Sequence, residues 1–240
     1  MDDEEAREAA SRVGASEDFL AALAHALRLP LHAMIGWLQV LRQGGADAGL
    51  RGRAVEALER SARQQARLAD DLLEVARIVA GTMPLEAAPL DLAAVVRGAV
   101  LDVLPAADTK GIALVLSAAD QPMPATGDGG RLARALASVL DNAIRFTPHG
   151  GRVDVAVTSA DAHAAIVVRD TGEGMSAEAL RHLFERPRAT DPTAPPRGGL
   201  GVGLLIARYV VEAHGGRIAA ASAGRGFGCS FTLTLPLAAA

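Results

Sequence analysis

From Asp18 to Gln43 the apolar residues Leu20, Leu23, Leu27, Leu31, Met34, Leu38 and Leu41 recur at steps of three and four, laying one stripe along a helix. Gly44 and Gly45 end it. A second periodic stretch runs from about Leu50 to Val79, with Leu58, Gln65, Leu72 and Val79 at heptad spacing and Ser61, Leu68 and Val75 on an adjoining line. Two long helices joined by a short Gly-containing turn predict an antiparallel helical hairpin. One partner helix cannot cover either stripe completely, so two copies are expected to associate as a dimeric four-helix bundle.

The pattern changes after Gly81, where Pro84 and Pro89 break any helix, and a domain boundary is placed there. Helical periodicity over Asp91–Ala107, Asp128–Arg145, Ser176–Leu183 and Gly201–Ala213 is interleaved with strand-like runs at Ile112–Leu116, Arg152–Thr158, Ala165–Arg169, Arg217–Ala221 and Ser230–Leu235. That mixture predicts an α+β fold with helices packed on one sheet. Residues 186–199 are rich in proline and arginine and carry no apolar stripe, the composition of a mobile lid.

Composition narrows the function. The 240 residues are half apolar, enough for a sizeable core, and the net charge of −4 comes from interspersed signs. No basic footprint for a phosphate backbone is present, so nucleic acid is not an expected partner. The acidic start and the lack of a long apolar run predict a chain without a membrane span, in the cytoplasm. One cysteine, Cys229, can form neither an internal disulfide nor a zinc site alone, and it reads as a small residue in the last strand.

Several positions could carry chemistry. At 100° per residue His25 falls roughly 170° from the centre of the leucine stripe, so its imidazole faces away from the core. Pro30 should kink the helix just beyond it. Asn142 and Arg145 lie one turn apart within Asp-Asn-Ala-Ile-Arg-Phe-Thr, where an amide oxygen suits a divalent cation and a guanidinium suits phosphate. Asp170-Thr-Gly-Glu-Gly174 follows a strand and offers an acceptor among flexible glycines. Gly198-Gly-Leu-Gly-Val-Gly203 leads into a helix, presenting backbone N–H groups to an anion without being a Walker loop.

Taken in order, these pieces resemble the catalytic core of a two-component sensor histidine kinase, over nearly all of residues 19–236. Residues 19–31 around His25 are similar to the phosphoacceptor box, Asn142–Thr147 to the N box and Asp170–Gly174 to the first glycine box. Leu183–Arg186 resembles the F box, Gly199–Leu204 the second glycine box, and His214-Gly215-Gly216 the turn that follows it. The resemblance implies an acidic helical lead-in over 1–15, a dimerisation and histidine-phosphotransfer hairpin over 16–82, and an α/β-sandwich ATP-binding domain of Bergerat type over 83–240. It implies ATP and Mg²⁺ as cofactors. ATP would be held by Asn142, Arg145, Phe146, Asp170, Gly172, Gly174, Phe184, Gly199, Gly201, Gly203 and Leu204. The metal would sit on Asn142, with Ser138 a second candidate oxygen.

The reaction so implied is phosphorylation of His25 and transfer to an aspartate on a response-regulator receiver domain. The chain departs from the family pattern where an acidic residue usually follows the histidine. Ala26 stands there and cannot orient the ring, which predicts a reduced rate. Leu29 replaces the polar residue usual four positions on, Ser138 the first asparagine of the N box, and Pro187 an aromatic. Two alternatives stay open: a nucleotide-binding pseudokinase, and a phosphotransfer or scaffold module. A homodimer is expected, with input either from a separate sensor protein or kinase partner or from further parts of a longer chain.

Overall fold

The computed structural model describes residues 23–43, 47–117, 121–160, 162–184 and 201–238. Two compact units are present, one built from residues 1–81 with 186–202, the other from 82–185 with 203–240.

In the first unit, α1 (residues 23–42) and α2 (Ala48–Val79) make the helical hairpin region. α1 continues through Pro30, which is buried. α2 begins where Asp47 caps it, its carboxylate accepting the Leu50 N–H at 2.6 Å. Ala54, Ala57, Leu68 and Val75 are buried, whereas Leu31, Ile35, Leu38, Val55, Leu73 and Val79 are 44–63 % exposed. The apolar stripe is therefore only partly covered by the chain itself.

The second unit opens with β1 (Ala88–Asp91), α3 (Leu92–Thr109), β2 (Ala113–Ser117), β3 (Pro124–Gly127) and α4 (Gly129–Phe146). There follow β4 (Arg152–Ala160), β5 (His163–Asp170), α5 (Ala177–His182), α6 (Gly203–Ala213), β6 (Arg217–Ala221) and β7 (Ser230–Pro236). Five strands form one sheet in the order β2-β4-β5-β7-β6, antiparallel except for β2 with β4. Alternation along each strand turns one set of side chains to the helices: Val153, Val155 and Val157 from β4, Ala164, Ile166 and Val168 from β5, Phe231, Leu233 and Leu235 from β7. They meet Val96 and Val103 of α3, Leu136, Val139 and Leu140 of α4, and Ile206 and Val210 of α6, all buried. Each valine, leucine, isoleucine and phenylalanine among them contributes about 1.5–3 kcal/mol by leaving water. Aspartates fix the starts of two helices: Asp91 accepts the Ala93 N–H and Asp128 the Arg131 N–H.

β1 and β3 pair as a separate two-stranded antiparallel sheet. No strand-like run in the sequence announces it: Pro89 and Pro124 stand within its strands, and each strand has only four residues. The lead-in over 1–15 and the lid over 186–199 lie outside the described residues. Among the described residues no helix is long and apolar enough to cross a membrane.

Candidate active site

Strand alternation selects the residue at the end of β5. Ala164, Ile166 and Val168 face the helices, so the next inward position is Asp170, which is 8 % exposed. Register makes Cys229 its cross-strand neighbour: the Asp170 N–H donates to the Cys229 carbonyl at 2.9 Å. The Cys229 N–H returns a bond to Asp170 Oδ1 at 3.2 Å, and the Gly172 N–H reaches the same oxygen at 2.8 Å. Among the described residues both bonds to this carboxylate fall on Oδ1, so Oδ2 keeps its acceptor capacity. Burial pushes the Asp170 carboxyl above its ordinary range, and the two amides offset this only partly. Burial, with the Asp170 charge second, also raises the Cys229 thiol, leaving it protonated and weakly reactive.

The loop after Asp170 is stitched to α4. The Glu173 N–H donates to the Phe146 carbonyl at 3.1 Å, and the same carbonyl lies 2.6 Å from where a Cβ on Gly172 would sit. At Gly174, with φ +64°, a Cβ would overlap the Gly224 carbonyl. Both glycines thus let the loop pack against the chain's own backbone, a reason the sequence reading did not supply.

On α4, Asn142 is half-buried and its side chain forms no hydrogen bond with a described residue. Ser138 lies one turn earlier on the same face. Its Oγ donates to the Arg134 carbonyl at 3.1 Å and sits 3.4 Å from a Cβ placed on Gly203, so small residues let α4 and the start of α6 approach. One turn on, the exposed Arg145 guanidinium lies 4.8 Å over the Phe146 ring. Leu204 is buried on α6, Phe184 is half-buried beyond α5, and Gly201, with φ +68°, is exposed two residues before α6. Gly199 lies outside the described residues, as do Glu185 and Arg186.

His25 belongs to the other unit, exposed on α1 with Arg28, Leu29 and His32, while Ala26 is half-buried. The structure therefore joins Asp170, Gly172 and Cys229 directly, packs Gly172 on the Phe146 carbonyl and Gly174 on the Gly224 carbonyl, and sets Ser138 against Gly203. Cys229, expected as a small residue in the last strand, lies one residue before β7, and the signal for its place beside Asp170 is the β5–β7 register.

The second unit thus carries a buried carboxylate at the end of β5 whose loop is tied to the last turn of α4, the helix of Asn142 and Arg145. Residues 127–239 match the family model described as histidine kinase-, DNA gyrase B- and HSP90-like ATPase. Residues 15–81 match the His Kinase A phospho-acceptor domain. The chain is 34 % identical to the sensor protein DivL of Caulobacter vibrioides, over 91 % of this chain and 28 % of that protein. It is 31 % identical to the signal transduction histidine-protein kinase BaeS of Escherichia coli, over 92 % of this chain and 46 % of that one. The chain thus spans less than half the length of these curated relatives. Among solved structures, the mycobacterial sensor histidine kinase MprB superposes with TM-score 0.53 at 30 % identity, covering 62 % of this chain and 97 % of that one. Full-length ShkA in complex with AMPPNP superposes with TM-score 0.67 at 29 % identity, covering 92 % of this chain and 46 % of that one. The chain belongs to the sensor histidine kinase family, of which it carries the two-component catalytic core.

Proposed function

We propose that this core phosphorylates His25 from ATP and passes the phosphoryl group to an aspartate of a response-regulator receiver domain. Residues 16–82 serve as the dimerisation and phosphotransfer hairpin and residues 83–240 as the catalytic domain, in the cytoplasm. The observation that carries the reading is Asp170. Its Oδ2 is an acceptor at the end of a buried strand, and the exocyclic amine of adenine is the donor that fits it. Asn142, whose side chain forms no hydrogen bond among the described residues, is the residue that would hold Mg²⁺ beside the phosphates, Ser138 standing one turn away. No cluster of three or more His, Cys, Asp or Glu able to hold an ion is present among the described residues, so the phosphate oxygens would complete the shell. The metal, when bound, supplies neutralisation of charge on the transferring group.

The chain's own residues then account for the rest. Arg145 offers a cation one turn from Asn142, and the N–H groups of the first turn of α6 are the donors an anion would take. His25 is exposed, and its neutral imidazole attacks phosphorus in line: an N–P bond forms, the bond to the β-phosphate oxygen breaks, ADP leaves, and the ring proton passes to solvent. With Ala26 after it, the ring has no adjacent carboxylate to accept its other N–H, so the rate is reduced. The exposed leucines of α1 and α2 are the surface on which a second copy completes the bundle.

Ala26 also favours a second reading, a nucleotide-binding pseudokinase. Incubation with γ-labelled ATP and Mg²⁺ separates the two. Label on the wild type and none on His25→Ala supports the kinase; tight ATP binding with no label on either supports the pseudokinase.

A further inference from the structure

We propose that Lys110 is a positioning residue for the nucleotide site, acting by holding the last turn of α4; this rests on the ATP-binding reading above. An α-helix leaves its last four carbonyls without partners in the helix. In α4 all four are satisfied. Thr147 donates to the Ala143 carbonyl through its N–H at 3.1 Å and its Oγ1 at 2.8 Å, and the Glu173 N–H serves the Phe146 carbonyl. The two between them, Ile144 and Arg145, both receive Lys110 Nζ, at 2.8 and 2.7 Å. The ammonium thus lies where the negative end of the α4 dipole is strongest.

The lysine reaches this place from a fixed base. It is the C-cap of α3, and the Gly111 N–H donates to the Asp108 carbonyl while the Ile112 N–H donates to the Ala107 carbonyl. That is a Schellman closure, with Gly111 at φ +61°. The His149 ring, from the turn after α4, packs 3.1 Å from where a Cβ on Gly111 would sit, which seats the two turns on each other. The opposite end of α4 is held in a parallel way. His214, following α6, accepts the Asp128 N–H on Nε2 at 2.8 Å, so its proton lies on Nδ1, facing the Val210 carbonyl at 2.7 Å. The helix bearing Asn142 is therefore gripped at both ends by side chains from its two flanking helices.

Only the Lys110 end touches the site. The turn it holds carries Arg145 and Phe146, and the Phe146 carbonyl is the tie to the Asp170–Gly174 loop. Removing the ammonium takes this donor from two carbonyls and frays that turn, which loosens Phe146 and with it the tie to the Asp170–Gly174 loop. Lys110 also lies outside the stretch that matches the ATPase family model, which begins at residue 127.

The test compares Lys110→Met, Lys110→Arg and His214→Ala by calorimetric ATP affinity, by thermal unfolding, and by amide hydrogen exchange without nucleotide. Lys110→Met is expected to weaken ATP binding about tenfold and to speed exchange at Thr147 and Glu173 while leaving Arg131 unchanged. Lys110→Arg, which can still donate to both carbonyls, restores the affinity. His214→Ala loses thermal stability to a similar extent but keeps near wild-type affinity. Equal losses of affinity and stability in Lys110→Met and His214→Ala, or unchanged exchange at Thr147 and Glu173, would overturn the proposal. If Lys110→Met does not fold, Lys110→Gln, able to reach one carbonyl, carries the same comparison. Wild-type protein that fails to bind ATP would instead remove the reading beneath it, whereas wild-type binding with Lys110→Met unaffected removes the role of Lys110 alone.

Discussion

Replacing Asp170 with asparagine should separate what the two oxygens of this side chain do. Asparagine keeps an Oδ1 that can accept the Gly172 and Cys229 amides at 2.8 and 3.2 Å, so the loop retains its internal bonds. At the other position an acceptor becomes an NH₂ donor, which meets the adenine amine donor to donor. A hydrogen bond to a charged partner contributes about 1.5–3 kcal/mol, and its loss corresponds to roughly a ten- to hundredfold rise in Kd for ATP and ADP alike. Stability should move the other way. Because burial raises the Asp170 pKa, the unfolded chain loses this proton at lower pH than the folded one. The carboxylate therefore costs stability as pH climbs from about 4 to the folded value, and the cost persists at neutral pH. Asp170→Asn removes it, so Tm at neutral pH should equal or exceed that of wild type. Asp170→Ala, which deprives two amides of their acceptor, should lower Tm. Titration calorimetry with ATP and thermal unfolding monitored by circular dichroism read both quantities. Unchanged ATP affinity in Asp170→Asn, or a Tm several degrees below wild type, would refute the division of roles between the oxygens.

Other predictions follow from the same geometry. Ala26→Glu, by supplying a carboxylate beside His25, should raise the autophosphorylation rate at least about tenfold with little change in the ATP concentration giving half-maximal rate, measured from initial label incorporation. Asp91 is held below the ordinary carboxylate range chiefly by the Met123 N–H, with burial opposing and the Ala93 N–H and Arg97 assisting. Its stabilising contribution is present above about pH 4 and is lost as pH falls through the lowered value, so acid unfolding of Asp91→Asn should show a shallower pH dependence in that window. Leu140, 1 % exposed on α4, should cost about 2–5 kcal/mol when cut to alanine, read by urea unfolding.

Much of this was legible in the sequence because periodicity reports local burial. The stripe of α4 and the alternation of Ile166 and Val168 foretell which faces are covered, and extending that alternation by one step places Asp170 among the helices. The ordered motifs then gave the family. What could not be read are pairings across long separations. Lys110 meets carbonyls 34 and 35 positions away, and His214 meets Asp128 86 positions away; neither leaves a local pattern. Cys229 looked inert because its importance comes from the β5–β7 register rather than from its neighbours in the chain. The glycines of the 170–174 loop were recognised, but their reason, close packing against the Phe146 and Gly224 carbonyls, depends on segments that only the fold brings near. The β1–β3 pair was hidden by its own prolines.

The central claim is that ATP held by Asp170 phosphorylates His25, and the most direct measurement is phosphoryl incorporation from Mg-ATP into wild type, His25→Ala and Asp170→Asn. The account predicts label on wild type that is lost in acid and retained in base, none on His25→Ala, and strongly reduced label on Asp170→Asn at ATP concentrations that saturate the wild type. Label that persists on His25→Ala, or that is indifferent to Asp170→Asn, would contradict it.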